Sequence, residues 1–220
     1  MSIRKNIPST ASVAFPSNGH RLLAPAADKN IGPILDLVIE FAPETGKALE
    51  LASGTGQHIV KLASAKPNLN WQPSDVDQLR IASITSWSND NNLDNLNPPL
   101  LLDATEVGWS YEHNDHNFIL LVNLIHLISE AEATTIIHEI SIALAPGGRA
   151  IIYGPFKKDG KLTSAGDVSF HRSLKEADPE IGYKDDRWML NQFSERNLAL
   201  IKIQNMPANN LAFIVERPLV

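Results

Sequence analysis

The sequence contains no cysteine, which excludes disulfides, thiolate metal sites and a cysteine nucleophile and says little about compartment. It has no apolar run near the roughly eighteen residues of a membrane-spanning helix, and no apolar signal core follows the opening Met-Ser-Ile-Arg-Lys. Positive charge is also short: the net charge is −6 and the pI about 5.6. With no basic stripe to offset that balance, a partner held through many phosphate contacts is excluded, and no nucleic acid or membrane partner is expected. Metal motifs are missing as well. His138-Glu139 lacks the second histidine of H-E-x-x-H, and His113 and His116 flank Asp115 in what reads as a solvated polar loop. No metal and no internal repeat are expected, and the default is a cytoplasmic protein, monomeric or homodimeric.

What is present suffices for one well-buried domain. The chain has 220 residues, 43% of them hydrophobic, too few for two domains of ordinary size. Residues 1–20 lack periodicity and read as a flexible or extended lead-in, with the domain at 21–220. Arg21 to Asn30 mixes charges with small residues and reads as a segment able to fold over a ligand. Ile34, Leu35, Val38, Ile39 and Phe41 then recur with helical spacing, stopped by Pro43 and Gly46.

The chain is organised around Ala48 to Gly56, A-L-E-L-A-S-G-T-G. Ala48, Leu49 and Leu51 suit a buried parallel strand, Ser53, Gly54, Thr55 and Gly56 a sharp turn, and Ile59, Val60 and Leu62 a helix that follows. Strand, glycine turn and helix make a nucleotide-site geometry. A dinucleotide fingerprint would need a third glycine where Ile59 stands, and no Gly-Lys-Ser/Thr completes a P-loop. Instead Glu50 lies inside the strand, and Asp75 ends the next one, L-N-W-Q-P-S-D. Two carboxylates suit hydroxyls and an ammonium, so a ligand with a ribose, an amino-acid cation and no phosphate fits. S-adenosyl-L-methionine is such a ligand.

Further on, a helix from Val76 gives way to an Asn/Asp-rich loop, and L-L-L-D forms a strand ending at Asp103. N-F-I-L-L-V-N (117–123) reads as a central parallel strand. Ser129 and Glu132 make a capping box for a helix to about Leu144, which A-P-G-G closes as a glycine turn before a strand from Arg149 to Tyr153. Helices at Val168–Ala177 and Asp186–Arg196 precede strands Ala199–Gln204 and Leu211–Val215. Their connector, M-P-A-N-N, is too short for a crossover helix, so they pair antiparallel. The pattern calls for a doubly wound α/β sheet.

In such a sheet the ligand lies beyond the carboxyl ends of the strands, where Ser53 to Gly56, Asp75, Asp103, Asn123 with His126, and Tyr153 to Phe156 all fall. A buried Glu50 is costly unless satisfied, by the ligand or by backbone amides. Asp75 accepts ribose hydroxyls or caps a helix, with Asp77 the better cap. Asp103 accepts the adenine amine while the Ala104 amide meets a ring nitrogen, or it opens a turn. Asn123 lines the reaction centre or satisfies its own turn, and His126 in I-H-L-I is a base or a packed core histidine.

E-L-A-S-G-T-G-Q-H, W-Q-P-S-D-V-D, N-L-I-H, L-A-P-G-G, Y-G-P-F and M-P-A-N-N occur in order. With them the chain resembles the class I S-adenosylmethionine-dependent methyltransferases. More narrowly, it resembles a small family of predicted methyltransferases long classed as a domain of unknown function, with bacterial and animal members, over about residues 20–217. That family tends to carry R-N where Lys29-Asn30 stands here. The resemblance implies a Rossmann-like, doubly wound seven-stranded sheet, mostly parallel, with one antiparallel strand in the C-terminal hairpin. The expected cofactor set is Glu50, Ser53, Gly54, Thr55, Gly56, Asp75, Asp103, Ala104 and Asn123. Arg21, Phe156 and Asn209 are expected to face a small-molecule acceptor, with Asn123, His126 and Tyr153 at the reacting centre. A non-catalytic cofactor-binding module and, on the residues alone, a nicotinamide-dependent oxidoreductase are the alternatives.

Overall fold

Successive strand residues point to opposite faces, and where both faces are apolar a helix must cover each. The structure, a computed structural model describing residue 8 and residues 11–219, follows that rule. A short antiparallel hairpin of β1 (Phe15–Pro16) and β2 (Leu22–Leu23) precedes α1 (Pro25–Phe41). Then come β3 (Gly46–Leu51), α2 (Gln57–Ala65), β4 (Leu69–Asp75), α3 (Gln78–Asn89), β5 (Leu100–Leu101), α4 (Trp109–Glu112) and β6 (His116–Val122). The chain continues through α5 (Glu130–Ala143), β7 (Leu144–Pro155), α6 (Ala165–Ala177), α7 (Asp186–Glu195), β8 (Ala199–Asn205) and β9 (Asn210–Glu216). Of the expected lead-in, residues 1–7, 9 and 10 lie outside the described residues.

The sheet order is β5-β4-β3-β6-β7-β9-β8, with β9 antiparallel to both neighbours and the other pairings parallel. The class read from the sequence is therefore the one observed. Strand order reverses between β3 and β6, so their carboxyl ends mark the switch point. Leu49, Leu51, Ile119 and Leu121 join α5 and α7 side chains such as Ile136, Ile140, Met189 and Phe193 on one face. Ala48, Phe118 and Leu120 join Ile34, Leu37, Ile59, Leu62 and Ile84 on the other. By this alternation Glu50 and Tyr153 belong to the α1–α2–α3 side. Each such fully buried aliphatic side chain contributes about 1.5–3 kcal/mol.

Five expectations need correction. The proposed ligand-covering segment 21–30 is half helix, because Pro25 takes the first helical position, where its missing N–H costs nothing. Helix α3 starts at Gln78 rather than Val76, since the Asp77 side chain caps it by accepting from the Leu79 amide at 2.8 Å. The strand expected to end at Asp103 stops at Leu101. Ala145-Pro146-Gly147-Gly148 is strand, not a helix-closing turn. Gly147 donates to the Arg217 carbonyl at 2.7 Å, and a Cβ on Gly148 would stand 2.7 Å from the His116 carbonyl oxygen, so the glycines serve a close strand approach where the β6–β7 register shifts. His116 itself is the buried first residue of β6, not part of a solvated loop. The Ser129–Glu132 capping box and the antiparallel last pair stand as read. Among the described residues no helix is long and apolar enough to cross a membrane.

Candidate functional site

Leaving β3, the backbone enters the left-handed region at Ala52 (φ 51°), Gly54 (φ 61°) and Gly56 (φ 91°). The two glycines are required for different reasons. A Cβ on Gly56 would lie 2.9 Å from the Cα of Ile84, so this glycine lets α3 pack against the start of α2. A Cβ on Gly54 would meet nothing nearer than 4.0 Å, so its open side is available to a ligand.

Behind the turn the carboxyl ends of β3 and β4 are laced together. Ser53 donates its amide to the Ser74 carbonyl at 2.7 Å, and the Ser53 and Ser74 hydroxyls both donate to the Glu50 carbonyl, at 3.2 and 2.8 Å. Asp75 accepts the Gly54 amide at 2.8 Å on Oδ2 and the Asp77 amide at 3.0 Å on Oδ1. Burial raises the Asp75 carboxyl above its ordinary range, with those two amides opposing. Glu50 is 2% exposed, and its Oε2 is buried with no hydrogen-bond partner among the described residues. Burial pushes its carboxyl up to about 8; Ser53 opposes the rise and the Asp75 charge adds to it.

The residues after the turn, Gln57 and His58, hold the entry and first turns of α1, a role the sequence pattern did not disclose. Gln57 Oε1 accepts from the Ala24 amide at 2.6 Å and the Thr55 hydroxyl at 2.8 Å, while its amide nitrogen donates to Asp28. The Leu22 amide donates to Ser83 Oγ at 2.9 Å, and that hydroxyl donates to the Thr55 carbonyl at 2.7 Å. His58 Nε2 meets Asn30 Oδ1 at 2.8 Å. Burial lowers the His58 imidazole to about 4, so it is neutral at pH 7. The only available signal was two polar side chains at helix positions that face the core.

The remaining anticipated residues divide. Thr55 is buried and tied to Gln57. Asp103 Oδ1 accepts from both the amide (2.9 Å) and the hydroxyl (2.6 Å) of Thr105, the turn alternative, while buried Ala104 accepts the Trp109 indole N–H at 3.1 Å. Asn123, at the end of β6, adopts φ 57° and donates its amide to the Tyr153 carbonyl at 2.9 Å. Tyr153 receives Asn210 Nδ2 on its hydroxyl at 3.0 Å; burial raises the phenol, with Asn210 and Asn30 opposing.

His126 packs edge-on against Phe170 and Tyr183, with centroids at 5.7 and 6.2 Å. Burial, aided by the Lys184 charge, lowers its imidazole to about 3, and its Nδ1 has no partner. The packed-core reading describes it better than that of a base. Phe156 is likewise core, edge-on to Phe213 at 4.9 Å, not an acceptor contact. Arg21 stacks over Trp87, 4.8 Å from the ring centroid, and pairs with Asp90, so its guanidinium is engaged on α3.

Asn209, with φ 62°, is exposed and donates to Asp167 Oδ2 at 3.1 Å, joining the β8–β9 turn to α6. Burial of Asp167 is outweighed by hydrogen bonds from Ser164, Thr163, Asn209 and Tyr183, which hold its carboxyl below the usual range. Among the described residues no group of three or more His, Cys, Asp or Glu is placed to hold a metal.

An aminoacyl-adenosyl cofactor fits these residues: an unpartnered buried carboxyl oxygen on Glu50, an open backbone at Gly54 and a carboxyl group on Asp75 lie together at the carboxyl ends of β3 and β4. Solved structures with the same fold include an O-methyltransferase family protein from Burkholderia thailandensis, 17% identical with a TM-score of 0.73 over 88% of this chain and 58% of that one. A putative O-methyltransferase from Nostoc punctiforme is 18% identical with a TM-score of 0.75, covering 87% and 57%. CalO1, a methyltransferase in calicheamicin biosynthesis in its SAH-bound form, is 11% identical with a TM-score of 0.69, covering 88% and 55%. This chain thus spans somewhat more than half the length of these proteins, and the likeness is one of fold. Residues 21–217 match the family described as Protein of unknown function (DUF938), and the chain belongs to that family.

Proposed function

We propose that the chain is an S-adenosylmethionine-dependent methyltransferase acting on a small-molecule acceptor. The observation that carries the reading is Glu50, a buried carboxyl with a free oxygen at the switch point, beside a glycine turn bonded to Asp75. The fold shared with an O-methyltransferase family protein and with an SAH-bound methyltransferase supports it. Bound S-adenosylmethionine supplies a methyl group already activated by its sulfonium. In this reading Asp75 takes the ribose hydroxyls on its remaining lone pairs, Glu50 takes the ammonium, and Asp103 with the Ala104 amide borders the adenine.

Asn123 and Asn209 face the acceptor, while Tyr153 is buried with its hydroxyl on Asn210. Tyr153 keeps its phenolic proton at neutral pH, and burial lowers the His126 imidazole to about 3, too weakly basic to take up a proton, so neither is suited as a base. The protein contributes alignment of an acceptor that already carries a lone pair, where effective molarities of ~10⁵ M or more are available.

Calorimetric titration with S-adenosylhomocysteine and with NADH tests the cofactor: binding of the first and not the second is expected, and the reverse overturns the reading. A metabolite extract incubated with methyl-labelled cofactor then identifies the acceptor, with Asp75→Ala as the blank. Binding without transfer to any acceptor would favour a regulatory module.

A further inference from the structure

The groups that act electrostatically on Glu50 are few. Its register neighbours, Pro73 on β4 and Leu120 on β6, carry no charge. Ser53 from the turn opposes the effect of burial, and Asp75 from β4 adds a like charge; no cation is among these groups. A carboxyl that is fully buried, beside another carboxylate and without a cation, is held as the neutral acid. Among the described residues nothing partners its Oε2, which leaves that oxygen to a ligand.

We infer that Glu50 waits as a neutral carboxylic acid and releases its proton to solvent when a ligand's ammonium settles beside Oε2, which couples cofactor binding to the loss of one proton. This inference rests on the methyltransferase reading above. The O–H bond of the Glu50 carboxyl breaks, the proton passes to buffer, and an ammonium–carboxylate pair replaces it; no electrons are transferred. Burial sets the free carboxyl at about 8, and an adjacent cation favours the charged form by roughly 1–3 pKa units. Between pH 6 and 7 the free protein therefore holds a proton that the complex loses in part for a one-unit drop and almost wholly for a three-unit drop. Affinity should rise about two- to eightfold between pH 6 and 7. That window also lies below the titration of an α-amino group, near 7.7–8.0.

The test is calorimetric titration with S-adenosylhomocysteine at several pH values in buffers of different ionisation enthalpy. 5′-Methylthioadenosine, which lacks the amino-acid portion, serves as the comparison ligand. Proton release with the first ligand and little or none with the second is expected, and Glu50→Gln should flatten the pH dependence for the first. Equal proton release by both ligands, or a slope that survives in Glu50→Gln and so belongs to Asp75, overturns the inference. If Glu50→Gln does not fold, the two-ligand comparison on the wild type decides alone. Binding of S-adenosylhomocysteine with constant affinity and no proton release sinks the inference while leaving the cofactor reading intact; absence of binding at every pH sinks both.

Discussion

The Gly54 amide donates to Asp75 Oδ2 across 2.8 Å, so the carboxylate that ends β4 fixes the turn that follows β3. The same side chain accepts the Asp77 amide on its other oxygen. Asp75 thereby shapes the loop and still presents lone pairs at the carboxyl end of β4, while the cap of α3 falls to Asp77. Two acids two residues apart thus take different structural tasks, the turn after β3 and the cap of α3.

Asp75→Ala should weaken S-adenosylhomocysteine binding by about 1.5–3 kcal/mol, roughly 10- to 150-fold, because hydrogen bonds to a charged group are lost. Calorimetry measures this directly. Unchanged affinity would reject the ribose role.

The two glycines should separate stability from binding. Gly56→Ala places a Cβ 2.9 Å from the Ile84 Cα at φ 91°, combining backbone strain with overpacking for a loss of about 2–4 kcal/mol in folding stability. Gly54→Ala has open space and φ 61°, which costs about 1–2 kcal/mol in folding, but its methyl enters the side offered to the ligand. Urea unfolding and ligand titration of both variants check the pair. Equal binding losses per unit of stability lost would refute the division.

The sheet and its turn were legible in the sequence because strand alternation and glycine placement are local. Ala48 to Gly56 and the run 117–123 specify their elements by composition alone, and Asp75 and Asp77 could be told apart by spacing. What was not legible depends on distant partners. Arg21 finds Trp87 on α3 and Asp90 just past its end, and Phe156 finds Phe213 on β9. Gly148 is set by the His116 carbonyl. Gln57 escaped notice because its three partners come from Ala24, Asp28 and Thr55, and no single-sequence pattern links them.

Gln57→Ala should destabilise the protein by about 2–4 kcal/mol, since the substitution removes three hydrogen bonds and leaves the Ala24 amide and the Thr55 hydroxyl unpaired in partly buried surroundings. The urea midpoint should fall with an unchanged slope. Hydrogen exchange should accelerate first around residues 22–28, where the side chain anchors the start of α1. Exchange that accelerates uniformly instead would show that the clamp is not local.

The last expectation concerns acid. Burial lowers the imidazoles of His58 and His116 to about 4 and that of His126 to about 3, from an ordinary 6.5. Between these values the unfolded chain binds more protons than the folded one. The stability these groups confer is therefore complete above pH 6.5 and lost as pH falls toward 4, by up to about 3 kcal/mol for each. Glu50 acts in the opposite sense, because a raised carboxyl favours the folded state as pH falls from 8 to 4.5. His126→Leu isolates one imidazole: Nδ1 has no partner to lose, and leucine keeps much of the packing against Phe170 and Tyr183. The variant should stay within about 1.5 kcal/mol of wild type at pH 7 and unfold at a lower pH than wild type on the acid side. Denaturant melts from pH 7 to pH 4.5 provide the comparison. An acid limb that does not move would mean that His126 is charged or solvated in the folded protein.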